Sequence, residues 1–159
     1  MKFFAFTKLG IIRIVAISLM LSVYVSSIIM NYASREITVG NLFATVIFIS
    51  AMVGFLAFST VKKHPPLVLG AKGWLIMSFI MSFAALVASS ADFEIGGFIG
   101  TLLGYGVMLF LSPYYGFVYL FGGYEWIGVI GMLISALIFF VPSLVRKIEH
   151  RRKLMREFK

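Results

Sequence analysis

The feature that most constrains this chain is a run of 51 residues, 95–145, that carries a single charge, Glu125. The run also holds ten of the fifteen glycines and the aromatic series Tyr114, Tyr115, Phe117, Tyr119, Phe121, Tyr124 and Trp126. A continuous helix of that length would extend about 76 Å, more than two hydrocarbon cores of about 30 Å. It is too long for one membrane helix and awkward for two.

A run of this kind has no place in a water-soluble domain. Of the 159 residues, 61% are hydrophobic and 13% are charged, where soluble domains carry roughly a quarter. No polar stretch is long enough for a separate soluble domain, so residues 1–159 read as a single membrane domain. The absence of cysteine removes disulfides, thiolate metal sites and a cysteine nucleophile.

The first span reads as residues 9–31. Lys2 and Lys8 precede it, and Arg13, one turn inside, snorkels back to the headgroups. A cleavable signal peptide is the rival reading. It is weakened by the length of the apolar run and by Tyr32-Ala33-Ser34, a poor cleavage site. The second span reads as 42–61 and stops before Pro65 and Pro66, which disfavour helix continuation. His64, among lysines and without a second ligand nearby, reads as a solvated loop residue. The third span reads as 74–91, with Trp74 as an interfacial anchor.

With the N-terminus inside, these loops put 13 of the 14 lysines and arginines on the cytoplasmic side and leave Arg35 outside. Glu36, Asp92, Glu94 and Glu125 fall outside. That is the positive-inside pattern. The tail 146–159, with seven basic residues, then has to be cytoplasmic too, so an odd number of crossings must fit within 95–145. One full span at 126–145 satisfies this. Residues 95–125 are left to enter the membrane and return, or to lie along its outer interface. A further alternative keeps two full spans and a tail outside.

The expected fold is all-α: a polytopic integral membrane protein with four transmembrane helices and a Gly/aromatic-rich re-entrant or interfacial segment before the last one. It would sit in the plasma (inner) membrane with both termini cytoplasmic. The tail extends the last helix, with Leu144, Ile148, Met155 and Phe158 near one face, suited to anionic lipid or a cytoplasmic partner.

Glu125 is the one acid within a long apolar stretch, and such an acid is a site hypothesis by default. Asp92, Glu94 and Glu125 together form a candidate ion or partner site on the outer half. The alternative is that Glu125 is wet, in a turn beside Trp126. Gly96, Gly100 and Gly104, and separately Ser18, Ser22 and Ser26, recur every four residues and read as helix-packing faces. The serine face reads alternatively as a polar pathway lining. Ser78 and Ser82, then Ala85 and Ser89, give another small-residue face.

No nucleophile has a plausible base, and no phosphate-cradling loop or dinucleotide fingerprint is present. Neither a metal site nor a cofactor is expected. The net charge of +8 reads as cytoplasmic anchoring, not as nucleic-acid binding. The expectation is a non-catalytic membrane protein in contact with lipid, acting on a membrane-protein partner or on itself, in the manner of accessory, immunity or exclusion proteins. The alternative is a small transporter or channel subunit with an outer-half acidic site.

Overall fold

The computed structural model describes residues 8–32, 36–90, 97–123 and 126–157. It is all-helical, with no strand among the described residues. The order is α1 (Lys8–Tyr32), α2 (Val39–Val61), α3 (Pro65–Ser90), α4 (Gly97–Leu111), a 3-10 turn (Ser112–Phe117), α5 (Val118–Phe121), α6 (Trp126–Phe139) and α7 (Val141–Glu157). Among the described residues five segments are long and apolar enough to cross a membrane: Gly10–Asn31, Val39–Val61, Pro65–Ala88, Gly100–Phe121 and Trp126–Met155. The chain is an all-α membrane protein.

The turns between helices are closed by local chemistry. At the start of α2 the Asn41 Oδ1 accepts from the Thr38 N–H at 2.8 Å and the Thr38 hydroxyl at 2.9 Å. Asn41 Nδ2 donates to the Met30 carbonyl at 2.7 Å, which ties the end of α1 to the start of α2. At the other end of α2 the N–H groups of Lys62, Lys63 and His64 donate to the carbonyls of Phe58, Thr60 and Ser59. The turn is tight enough to push Lys63 to φ 53°, the left-handed region.

The third helix begins earlier than its apolar run implies, at Pro65 and not near residue 74. Proline is barred from a helix interior, but the first turn has no use for its missing N–H, and a proline φ is already helical. The His64 carbonyl accepts the first intrahelical bond, from Val68 N–H at 3.2 Å. Two further expectations change with it. His64 is buried, not solvated, and its Nε2 accepts from Arg13 Nε at 3.2 Å. Trp74 is not an interfacial anchor. Its ring lies 5.7 Å from Tyr24 and 5.4 Å from Phe48, in an aromatic core completed by Phe110 and Tyr114.

The last apolar segment is likewise two helices. It breaks at Phe140, and Pro142 falls in the first turn of α7. At the break the Phe140 N–H donates to the Leu137 carbonyl, and the Phe140 carbonyl accepts from both Ser143 and Leu144 N–H. α6 runs antiparallel along α3: Gly128 faces the Ser82 carbonyl, Gly131 faces the Ser82 side chain, and Ser135 bonds Ser78. Lys72 Nζ caps the far end of this pair, 4.2 Å over the Phe139 ring. Beyond it, Arg146 and Glu149 of α7 share a cavity with Lys63 and His64. The basic tail therefore lies at the same end of the bundle as the α2–α3 turn.

Between α3 and α6 the chain makes a hairpin. α4 follows α3 in the opposite direction, with Gly100, Gly104 and Val107 beside Ala88, Ala85 and Ala84, Gly106 against Met81, and the Phe110 carbonyl on Ser78. That is a progress of about ten residues, or about 15 Å, along α3. Within the 3-10 turn Gly116 lies against Asn41 in the first turn of α2, and after it Val118 joins Leu111, Ile127 and Ile37 in one apolar cluster. Ile37 and Ile127 belong to the end from which α4 set out. The segment goes part of the way down the bundle and comes back.

The link from α1 to the α2–α3 turn depends on a neutral His64. Burial, then the charges of Arg13 and Lys62, hold its imidazole below the ordinary range. Lys63 and Arg146 add to the basic surroundings, and Glu149 opposes them. The unfolded chain takes up this proton first, so the stabilisation is present above the unfolded pKa and is lost as pH falls through the folded one. The thermal midpoint in detergent should therefore drop between about pH 7 and about pH 5, on either side of a free histidine pKa near 6.5. His64→Gln, which keeps an acceptor for Arg13 without titrating, should flatten that drop.

Candidate functional site

The hairpin turn is held by a buried group of neutral polar side chains drawn from every helix around it. Tyr114 projects from the turn into the middle of the bundle and is fully buried. Its hydroxyl lies 3.2 Å from Ser135 Oγ and 3.5 Å from Ser78 Oγ. Ser135 donates to Ser78 at 3.1 Å, and Ser78 donates to the Phe110 carbonyl at 3.2 Å. With Ser135 donating to Ser78, Tyr114 donates to Ser135, and the one Ser78 hydrogen is shared between the Phe110 carbonyl at 3.2 Å and the more distant Tyr114 hydroxyl at 3.5 Å. All three hydrogens are used, and a carbonyl at the mouth of the turn is satisfied.

A second group meets the turn from α1 and α2. Asn31 Nδ2 lies 3.0 Å from Thr45 Oγ1, 3.3 Å from the Pro113 carbonyl and 3.4 Å from Ser27 Oγ. Thr45 Oγ1 also accepts from the Gly116 N–H at 3.1 Å. Tyr24 donates to the Leu109 carbonyl at 2.5 Å. The backbone groups a 3-10 turn cannot pair for itself are thus met by four side chains of three other helices, α1, α2 and α3. Three buried oxygens in this region, Asn31 Oδ1, Ser82 Oγ and Ser112 Oγ, have no partner among the described residues.

Hydroxyls and amides of this kind can hold backbone or coordinate a neutral or cationic solute. Among the described residues no acid or histidine takes part in the group. Among the described residues there is no group of three or more His, Cys, Asp or Glu side chains that could hold a metal ion.

Of the residues singled out in the sequence, Asp92, Glu94, Glu125 and Gly96 lie outside the described residues. Gly100 and Gly104 do face α3, but across a gap of about 210 Å³, and a Cβ at Gly104 would meet nothing within 4 Å. The glycines that permit close contact are Gly106, Gly116, Gly128 and Gly131. Ser18, Ser22 and Ser26 point away from the rest of the chain; Ser22 donates to the Ser18 carbonyl of its own helix at 2.9 Å. The buried serine of α1 is Ser27, beside Ser26 in sequence and on another face. The side chains that build the site (Asn31, Thr45, Tyr114, Ser135) carry no spacing pattern. Their one trace in the sequence is a polar residue at the end of an otherwise apolar run.

No protein-family model, curated protein or solved structure is significantly similar to this chain.

The packing of the turn is tightest at Gly116. A Cβ there would run into the Asn41 carbonyl and Thr45 Oγ1. Gly116→Ala is expected to cost about 1–3 kcal/mol or more, since backbone has to move. Gly104→Ala should be neutral or gain up to about 1 kcal/mol from helix propensity. Unfolding of the two variants in detergent, side by side, measures the difference.

Proposed function

We propose that this is a non-catalytic multi-pass inner-membrane protein that works through helix–helix contacts with a membrane partner or with a second copy of itself. In this reading α1, α2, α3 and the α6–α7 segment cross the membrane, and residues 97–123 form a re-entrant hairpin from the outer side. Both termini are then cytoplasmic, and Arg13, Lys62, Lys63, Lys72 and the basic residues of α7 share the cytoplasmic end. Re-entrant backbone needs shelter from lipid, and the hydrogen bonds from Tyr24, Asn31, Thr45 and Ser78 supply it.

The observation that carries the functional reading is the position of α1. Within its membrane window 6% of residues are buried, against 33% for α2 and 33% for the last segment. The side it leaves uncovered carries Ser18, Ser22 and Ser26, the kind of small-residue face at which membrane helices approach closely. The buried polar groups, by contrast, are spent on holding the hairpin.

Single cysteines at Ser18 and Ser22, in a chain with none of its own, test this directly. Cross-linking in native membranes should yield one discrete product, a homodimer or a stoichiometric complex with another membrane protein. A monomer that forms no product and moves solute in reconstituted vesicles would overturn the reading. It would favour a small transporter or channel subunit, the use to which the unpaired Asn31 Oδ1 and Ser112 Oγ beside the turn are suited.

A further inference from the structure

The basic end of the bundle holds a cavity of about 290 Å³ between the α2–α3 turn and α7, lined by Ser59, Thr60, Lys63, His64, Arg146 and Glu149 among others. Ser59 is fully buried there, and its hydroxyl has no hydrogen-bond partner among the described residues. Its neighbour Thr60 spends its proton on the Leu56 carbonyl at 2.7 Å. An unused buried donor is costly, and it is costly only until a ligand accepts from it.

The electrostatics of the cavity favour an anion. Lys63 and Arg146 stand on opposite walls against one carboxylate, Glu149. The C-terminus of α2 would normally present negative carbonyls at this place. Here the carbonyls of Phe58, Ser59 and Thr60 are covered by the N–H groups of the turn. α3 begins at Pro65, also in the wall, with the positive end of its dipole there; Pro65 and Pro66 bring no N–H, so side chains supply the donors. Arg13 donates to His64 Nε2, which leaves the ring proton of the neutral imidazole on Nδ1 as a further donor.

Lys63 adds an independent observation. Among the described residues it is the sole non-glycine with positive φ. Glycine would hold that backbone more cheaply, yet the position carries an ammonium group in the cavity wall.

We propose that this cavity binds a single phosphate-bearing anion, with Lys63 and Arg146 supplying the charge and Ser59 the buried hydrogen-bond donor. A guanidinium fork matches the edge of a phosphate, and an ammonium can meet a further oxygen from the opposite side. The cavity lies where the spans reach the aqueous boundary, so the phosphate comes either from a phospholipid headgroup or from a soluble phosphate compound. The proposal is independent of what α1 contacts.

Thermal unfolding of the delipidated protein in neutral detergent tests it, at constant ionic strength set with chloride. One arm adds inorganic phosphate, the other a short-chain phosphatidylglycerol. The midpoint should rise beyond the chloride control in at least one arm. A rise with phosphate identifies the free anion as sufficient, and a rise with phosphatidylglycerol alone identifies the headgroup as the source. Lys63→Gly, which relieves the backbone and so keeps the fold, and Arg146→Gln, at an exposed position, should each raise the half-maximal concentration about ten-fold. Glu149→Gln should lower it. Arg151→Gln and Arg152→Gln, exposed on α7 and outside the cavity, should leave it unchanged. No shift beyond chloride in either arm overturns the proposal. So does an equal loss in the Arg151 and Arg152 variants, which would make the effect one of general surface charge.

Discussion

Everything in this structure turns on how the backbone of residues 109–116 is satisfied away from water. A helix pairs its own amides. A 3-10 turn with Pro113 in its first turn does not pair all of them, and lipid offers no substitute. The carbonyls of Leu109, Phe110 and Pro113 and the N–H of Gly116 are taken by Tyr24, Ser78, Asn31 and Thr45. Those four side chains lie on α1, α2 and α3, so the three helices are held in one arrangement by the hairpin between them. Ser135 of α6 closes the ring through Tyr114. The polar residues at the turn therefore serve the architecture, and the two proposed contacts fall elsewhere, on the uncovered side of α1 and at the basic end.

Two different solutions to close approach occur side by side. Where α6 meets α3, glycine on one helix faces serine on the other, at Gly128 and Gly131 against Ser82. Where the turn meets α2, Gly116 lies against the backbone itself. The aromatic core of Tyr24, Phe48, Trp74, Phe110 and Tyr114 fills the volume between, with tilted and edge-on rings. Shape and hydrogen bonding, more than apolar burial, distinguish a native arrangement in lipid.

Much of the architecture was legible in the sequence, because hydropathy and charge act over whole segments. The apolar runs locate the helices, and the charge balance of the short loops raises the parity problem in residues 95–145 to which a returning hairpin is an answer. What was not legible depends on which side of a helix faces protein. The four-residue spacing of Gly96, Gly100 and Gly104 looked like a packing face, yet the close contacts belong to Gly106, Gly116, Gly128 and Gly131, whose spacing is set by partners on other helices. Ser18, Ser22 and Ser26 are regular and uncovered, whereas Ser27 is buried, its Oγ 3.4 Å from Asn31 Nδ2 one turn later. Pro65 and Pro66 looked like a stop because proline ends a helix on one side; on the other side it starts one. Trp74 has the composition of an anchor and the neighbours of a core residue. The acidic candidates Asp92, Glu94 and Glu125 fall outside the described residues, and the site that the structure brings forward is neutral.

The claim at the centre of this account is that the segment from α4 to α5 returns to the side it entered from. Single cysteines at Phe121, the exposed end of α5, and at Lys153, in the tail, measure it in a chain with no cysteine of its own. Intact cells expressing each variant are treated with a membrane-impermeant maleimide, before and after permeabilisation. The account predicts labelling at Phe121→Cys from outside, and labelling at Lys153→Cys only once the membrane is opened. The reverse pattern, with the tail labelled in intact cells and the end of α5 protected, would make the segment a full crossing and contradict the account.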